Sequence, residues 1–526
     1  MFFQDAPSKK DREKLLVFPG SPAYGLELLR ILRYTVLLYH WGILPSLTIP
    51  PWRNTALNRS NHAIPAQDIA RQRDFTDTLA HIFQEKGRPL LAKVDTYGCQ
   101  QNEADSENIR GMLRDMGCGF TEDAMEADII VINTCAIREN AENRVFGVVG
   151  QLTHAKEKNP DLVLCICGCM VQQETIAQKI RASYRHVDLV FGPQAMWKFP
   201  ELLYNVVTKR KRIFSIEDEH GSIAEGLPAV RQSGVKAWVS IMYGCNNFCS
   251  YCIVPYVRGR ERSRGPEDIL RDVRALVEAG YKEITLLGQN VNSYGKDLPE
   301  PMDFADLLAA IDQIPGEYLI RFMTSHPKDA SPKLYETMAK STHVAHQLHL
   351  PVQSGSSRVL KAMNRGYTRE QYLEKLHAAR ALMPDLVITS DIIIGFPGET
   401  EAEAMETVSL IKEVRYDALF TFIFSPRKGT PAATMPDPAS PEEKHHWFDI
   451  LVNAQNEISG QLHREYIGCT VRVLVDGESE DPQWSLEGRT DGGRLVHLQG
   501  DKSLVGQFVQ VEITDSNTWA LYGRLK

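Results

Sequence analysis

The sequence predicts an α/β protein in three parts: an amino-terminal parallel α/β domain, a central open (β/α)6 partial barrel and a carboxyl-terminal small β-barrel. Three observations predict it. Residues 90–208 hold short apolar runs that each end on a cysteine and lead into a helical pattern, as in a parallel sheet buried on both faces. Residues 230–460 repeat strand–helix units. From residue 461 the pattern turns to short alternating strands with glycines between them, the signature of a small β-barrel. A chain of 526 residues exceeds one ordinary domain.

The first ninety residues carry twelve Lys/Arg against eight Asp/Glu and are broken at Pro45, Pro50 and Pro51. Residues 1–89 are expected to form an extension, poorly ordered or loosely docked to about residue 65. Its apolar run Tyr34–Leu44, flanked by Arg30, Arg33 and Pro45, is shorter than the ~18 residues a membrane span requires. A packed helix or docking segment is expected there, and no membrane partner.

In the next part, Ala92-Lys-Val-Asp-Thr-Tyr-Gly-Cys99, Ala127-Asp-Ile-Ile-Val-Ile-Asn-Thr-Cys135 and Leu162-Val-Leu-Cys-Ile-Cys-Gly-Cys169 each read as a strand ending on a thiol. In the central part strands are predicted at 237–243, 283–287, 319–324, 347–350, 387–394 and 419–424. The stretch 266–279 has apolar residues at helical spacing. In the tail, Val471, Val473 and Val475 alternate, and residues 508–513 form another strand region.

The composition, 43% apolar and 24% charged, is that of a globular protein. Ten cysteines without a secretory signal point to a reducing compartment, the cytoplasm. A net charge of −8 argues against nucleic-acid binding by bulk electrostatics. Local patches remain: Lys209-Arg-Lys-Arg212, which reads equally as a solvated linker face, and Arg258-Gly-Arg-Glu-Arg-Ser-Arg264. Arg258 and Arg260 of the second patch are candidate contacts to a phosphate backbone.

Two cysteine triplets carry the chemistry. Cys245, Cys249 and Cys252 stand at C-x3-C-x2-C spacing in Met242-Tyr-Gly-Cys-Asn-Asn-Phe-Cys-Ser-Tyr-Cys252. Three thiolates can hold three irons of a [4Fe–4S] cube and leave the fourth open. A closed zinc site needs a fourth ligand, usually from a second cysteine pair, and no such pair lies nearby. Cys99, Cys135 and Cys169, 36 and 34 residues apart, could converge beyond the strand ends as a second triplet. Cys165 and Cys167 alternate within their strand, and Cys118 and Cys469 stand alone. All four read as small hydrophobes. His343, His346 and His349 lack a fitting fourth ligand and read as structural.

The C-x3-C-x2-C run, with Tyr251 before its last cysteine, resembles the radical S-adenosylmethionine (SAM) enzymes. Thr96-Tyr-Gly-Cys-Gln-Gln-Asn-Glu-Ala-Asp-Ser-Glu107, Asn133-Thr-Cys-Ala-Ile-Arg-Glu-Asn-Ala-Glu142 and Gly168-Cys-Met resemble the amino-terminal domain of their methylthiotransferase family. The choice of Cys169 over Cys167 rests partly on this resemblance. It covers the chain from about residue 90 and gives the tail as a TRAM domain, an RNA-binding appendage. Seven Lys/Arg against ten Asp/Glu there equip the tail poorly for gripping phosphates.

The resemblance implies two [4Fe–4S] clusters and SAM as cofactors. The Cys245 triplet would cleave SAM to a 5′-deoxyadenosyl radical, and the Cys99 triplet would carry sulfur. SAM contacts are expected from Tyr251, from Gly288, Gln289 and Asn290 at its amino group, from Gln353, and from Ile394 and Gly395 near its adenine. The wording of the first motif is closest to the branch that converts N6-isopentenyladenosine beside the tRNA anticodon to its 2-methylthio form, one SAM giving the methyl group and one the radical. The implied partners are the tRNA anticodon loop and an electron donor such as flavodoxin or ferredoxin, with the chain a monomer. The alternatives are methylthiolation of threonylcarbamoyladenosine or of a ribosomal-protein aspartate, and, in another class, a non-catalytic iron–sulfur electron carrier.

Overall fold

The computed structural model describes residues 62–136, 139–216 and 222–526. The run Tyr34–Leu44 and the rest of residues 1–61 lie outside them. Among the described residues no helix is long and apolar enough to cross a membrane.

Six parallel strands form the amino-terminal sheet, in the order Gly119–Phe120, Leu91–Tyr97, Ile129–Thr134, Val163–Gly168, Leu189–Phe191, Ile213–Ser215. Ile129–Thr134 is buried at every position, as a parallel strand covered on both faces must be. Two apolar layers enclose the sheet. One includes Val131, Cys165, Cys167 and Phe191, and the other Ile130, Ile132, Leu164 and Ile166. Alternation along each strand sends successive residues to opposite layers. The helix Ala66–Gln84 joins the first layer through Leu79 and Phe83, so residues before 90 contribute to this unit.

The central part is a half-barrel of two three-stranded parallel sheets. One runs Leu319–Phe322, Glu283–Leu287, Lys236–Ser240, and the other Gln347–His349, Val387–Ile394, Ala418–Ile423. A single bridge, Ile320 to Val344, joins them. All six predicted strands are present: 283–287 and 387–394 match in full, and the ends of the other four differ by at most three residues. Helices such as Pro266–Glu278 bury Ile269, Leu270, Val273 and Leu276 on the outside of the strands. The strand Ala418–Ile423 is the open edge, with Phe420 and Phe422 exposed.

The long helix Pro441–Arg464, capped by a Ser440/Glu443 box, leads into a closed five-stranded barrel: Thr470–Glu478, Leu486–Thr490, Leu495–Leu498, Leu521–Leu525, Phe508–Ser516. Its core is Val473, Val475, Leu486, Val496, Leu498, Val511, Ile513 and Leu521. Closure leaves no sheet edge unpaired.

Candidate active site

The register of the amino-terminal sheet brings three cysteines together. Tyr97, Thr134 and Gly168 form one aligned row across adjacent strands, and the chain reaches Cys99, Cys135 and Cys169 just beyond it. Cys135 N–H donates to Tyr97 O (2.9 Å) and Cys169 N–H to Thr134 O (2.8 Å), extending the ladder by one rung. Gly168 has φ of +94°, and a Cβ there would lie 2.3 Å from Thr134 O; only glycine allows this approach. Below the row, Asn102 Nδ2 donates to Asn133 Oδ1 (2.9 Å), while Asn133 Nδ2 returns a bond to Asn102 O (2.8 Å). This buried amide pair fixes the start of the helix Gln100–Asp115, which Cys99 opens.

Two thiols of this triplet differ in acidity. A hydrogen bond with Cys135 is the largest influence drawing Cys99 down to about 6, with Arg258 adding to it. Burial pushes Cys169 up to about 11, although Arg258 opposes the rise. Burial first, with Asp188 and Asp105 adding to it, pushes Cys165 and Cys167 respectively far up, as expected of inert core thiols.

Cys245, Cys249 and Cys252 lie in the loop after the first barrel strand. Gly244, at φ +78°, sits where a Cβ would meet Arg260 O at 1.9 Å, and Phe248 also adopts positive φ (+47°). Cys252 N–H donates to Cys249 O (2.9 Å) and Cys245 N–H to Gly259 O (3.1 Å). Burial pushes both Cys245 and Cys252 up to about 12.

The predicted SAM residues gather at the same end of the half-barrel. Gln289 Oε1 accepts the Gly244 N–H, bracing the start of the cysteine loop. Asn290 donates to Asp329 (2.8 Å) and keeps a buried, unpartnered Oδ1. Gln353 holds φ +76° and bridges to Ile392. Ile394 is fully buried, and Gly395 N–H donates to Glu399 (2.6 Å). Tyr251 OH lies 3.3 Å from Arg365 Nη1.

Two further residues, Arg365 and His326, complete the surroundings. Arg365 is buried and donates to Cys249 Sγ (3.4 Å), Tyr367 OH (2.9 Å) and Pro351 O (2.6 Å). His326 Nδ1 accepts the Lys328 N–H (3.2 Å), so Nε2 carries the proton and faces Cys249 Sγ at 4.0 Å. Burial, then Arg365, hold His326 at about 2, leaving it neutral.

The arginine patch is corrected by the structure. Arg258, Arg262 and Arg264 are buried, and only Arg260 is exposed, lying over the Phe248 ring at 4.4 Å. Arg258 donates to Cys169 Sγ and to Asp105, each at 2.8 Å, where a phosphate backbone has no access. The cause is the short helix Val254–Val257: its Val257 and the capping Ile253 pack on Ala136 and Cys169 and carry Arg258 inward. In the other patch, Arg212 donates to the carbonyls of Val187 and Tyr184, and Arg210 pairs with Asp161. His343, His346 and His349 bond to Asp312, Asp385 and Thr389 separately.

Among the described residues no three His, Cys, Asp or Glu side chains converge as they would on one metal ion. In a four-iron cube each cysteine serves a separate iron, so three thiols suffice and need not meet at one ion. The donor set fits as well: each triplet is all thiol, and a buried guanidinium touches one sulfur of each. Inside the half-barrel lies a cavity of ≈ 670 Å³ lined by Trp238, Thr285, Met323, Thr389, Phe420 and Trp519, among others.

Three family models match the chain: the radical SAM superfamily over residues 239–411, uncharacterized protein family UPF0004 over 92–192, and the TRAM domain over 464–526. Among solved structures, a radical SAM methyltransferase from Kitasatospora setae is similar at a TM-score of 0.48 and 12% identity, over 65% of this chain and 75% of that one. Two curated relatives carry the name tRNA-2-methylthio-N(6)-dimethylallyladenosine synthase. The enzyme of Acetivibrio thermocellus is 46% identical over 472 residues, 89% of this chain and 98% of that one. That of Clostridium perfringens is 51% identical over 432 residues, 82% and 97%. With such identity over nearly the full length of these relatives, the chain belongs to the tRNA-2-methylthio-N(6)-dimethylallyladenosine synthase family.

Proposed function

We propose that this chain converts N6-isopentenyladenosine beside the anticodon of tRNA to 2-methylthio-N6-isopentenyladenosine, with one SAM as methyl donor and one as radical source. Cys245, Cys249 and Cys252 would hold the cluster that binds SAM, and Cys99, Cys135 and Cys169 the second cluster. When bound, these groups supply the electron, the hydrogen-abstracting radical, the sulfur and the methyl group, chemistry no side chain performs. The observation that carries the reading is the aligned row Tyr97, Thr134, Gly168, which delivers one thiol from each of three adjacent strands.

The protein's own residues bind and orient. Gln289, by bracing Gly244, sets the cysteine loop beside the strand-end segment Gly288–Asn290, the candidate contact for the SAM amino group. Ile394 and Gly395 wall the adenine side, and Tyr251 and Gln353 flank the loop. The cavity of ≈ 670 Å³ is of a size that takes an extruded nucleobase. A base in an RNA loop is already partly unstacked, so moving it there costs little. The electron comes from a donor such as flavodoxin or ferredoxin, and the chain works as a cytoplasmic monomer.

The experiment is mass spectrometry of tRNA nucleosides from cells lacking the gene, with and without its restoration. Loss of the methylthio adduct with build-up of isopentenyladenosine, reversed by complementation, is expected; an unchanged profile sinks the reading. Iron analysis of reconstituted protein tests the clusters separately. Cys99→Ala and Cys245→Ala should each remove about half the iron.

A further inference from the structure

Arg262 is a buried guanidinium without a counter-ion. It is 7% exposed and, among the described residues, forms no ion pair; Asp297 acts on it only from a longer range. Its Nη2 donates to Arg258 O (3.1 Å), while its Nε is buried with no partner. The other buried arginines here are answered: Arg258 by Asp105, Arg264 by Glu225 and Asp272, Arg321 by Glu283. Arg365, the remaining one in contact with a cysteine triplet, rests on Cys249, Tyr367 and a carbonyl.

The unpartnered Arg262 lines a cavity of ≈ 40 Å³ between the amino-terminal sheet and the half-barrel, together with Asp105, Gln194, Trp197, Tyr243 and Arg258. Two more buried polar atoms on its wall lack partners, Trp197 Nε1 and Gln194 Oε1. The lining therefore offers two unused N–H donors and two guanidinium charges. Its one carboxylate, Asp105, already accepts from Arg258 (2.8 Å) and Gln101 (3.1 Å). A buried, unpaired charge is strongly unfavourable, and so is each orphaned donor. An anion in this cavity relieves all of these at once. About 10–15 Å³ of such space holds one water, so the ≈ 40 Å³ admits a small anion together with a water. Gln194 Oε1 is an acceptor suited to one water hydrating the ion.

We propose that this cavity is a binding site for a small monovalent anion, of the size of chloride or hydrosulfide, held by Arg262 Nε and Trp197 Nε1. The assignment needs no cluster and stands apart from the function proposed above. A halide serves there as a counter-ion, whereas hydrosulfide places a sulfur-bearing anion one guanidinium away from Cys169. The two share the same recognition chemistry, and the test separates them.

Crystals of the full chain soaked in sodium bromide, and anaerobically in sodium hydrosulfide, give anomalous maps for bromine and sulfur. A peak at hydrogen-bond distance from Arg262 Nε and Trp197 Nε1 is expected, and its loss in Arg262→Met. In solution, bromide at constant ionic strength should raise the Tm relative to gluconate, and Arg262→Met should abolish the rise. Methionine also removes an uncompensated buried charge, so this variant should be more stable than the parent in anion-poor buffer. Should it fail to fold, Trp197→Phe keeps the charge and should weaken the bromide peak. Bromine with no sulfur supports a halide site; both support an anion site open to hydrosulfide. Water alone, or a side chain of the protein itself in the cavity, overturns the proposal.

Discussion

Arg258 Nε lies 2.8 Å from Cys169 Sγ, and the same guanidinium reaches Asp105 Oδ2 at 2.8 Å through Nη2. Arg258 stands six residues after Cys252, so this one side chain ties the segment leaving one thiol triplet to a thiol of the other. A cation hydrogen-bonded to a thiolate favours the reduced, more negative cluster. Arg258→Gln should therefore lower the midpoint potential of the cluster proposed for the Cys99 triplet, and Asp105→Asn should raise it. Arg258→Gln also leaves Asp105 unpaired at a cost of about 3–5 kcal/mol. EPR-monitored titration of protein lacking the Cys245 triplet reads the shifts. Equal potentials in all three proteins would refute the coupling.

Glu399 gives a pH dependence of known sign. Its Oε2 accepts from the N–H groups of Gly395 (2.6 Å) and Phe396 (3.1 Å), while Oε1 has no partner. Burial pushes its pKa up to about 7. A carboxyl raised in the folded state contributes stability that is complete below its unfolded value, near 4.5, and is lost as pH rises through 7. The amount is about 3 kcal/mol at ~1.4 kcal/mol per unit. His326, depressed by burial, works in the opposite direction across the same window, so the informative quantity is the difference between variant and parent. Urea unfolding of Glu399→Gln between pH 5 and 7.5 should show the falling component gone. Parallel curves for the two proteins would sink the assignment.

The strands were legible because β-branched runs bounded by glycine specify themselves locally, and the thiols because ligand spacing survives in sequence. What the arginines do was not legible. Arg258, Arg260, Arg262 and Arg264 look equivalent along the chain, yet their burial is decided by the contact of Ile253 and Val257 with Ala136 and Cys169. Arg258 meets a cysteine 89 positions away and an aspartate 153 positions away, and no local pattern encodes such pairs. Arg365 was missed for the same reason: it reaches Cys249 from the turn between the helices Ser357–Ala362 and Arg369–Leu382.

Trp519 and Phe420 line the barrel cavity, and both are exposed, at 73% and 49%. They come from different parts of the chain, the carboxyl-terminal barrel and the open edge strand. Because residues 461–526 carry more acidic than basic side chains, RNA contact there must draw on stacking more than on phosphate charge. Stacking on an aromatic contributes about 1–3 kcal/mol per base. Trp519→Ala should weaken binding of an anticodon stem-loop by about tenfold while leaving the slope of log K against log salt unchanged, since no phosphate contact is lost. An unchanged affinity, or a reduced slope, would count against stacking by Trp519.

Arg321 locks the small barrel onto the half-barrel. From the strand Leu319–Phe322 it donates to Thr490 O (3.0 Å) and Asp491 O (2.9 Å) in the turn after Leu486–Thr490. It is held in that pose by Glu283 (2.7 Å) and Gln347 (2.6 Å). The turn is shaped to fit: Gly493 has φ +86°, and a Cβ there would lie 2.9 Å from the Gln347 side chain. Arg494 adds an ion pair with Asp417 on the same seam. Arg321→Met removes both turn contacts and strands Glu283 as a buried charge, a loss of about 3–5 kcal/mol. Gly493→Ala keeps every ionic contact but strains the turn by about 1 kcal/mol or more. The first variant should uncouple the domains, so that Trp484 and Trp519 fluorescence and far-UV circular dichroism give separate urea midpoints. The second should lower a single shared midpoint. A coincident transition in Arg321→Met at the parent's midpoint would mean that the seam is held elsewhere.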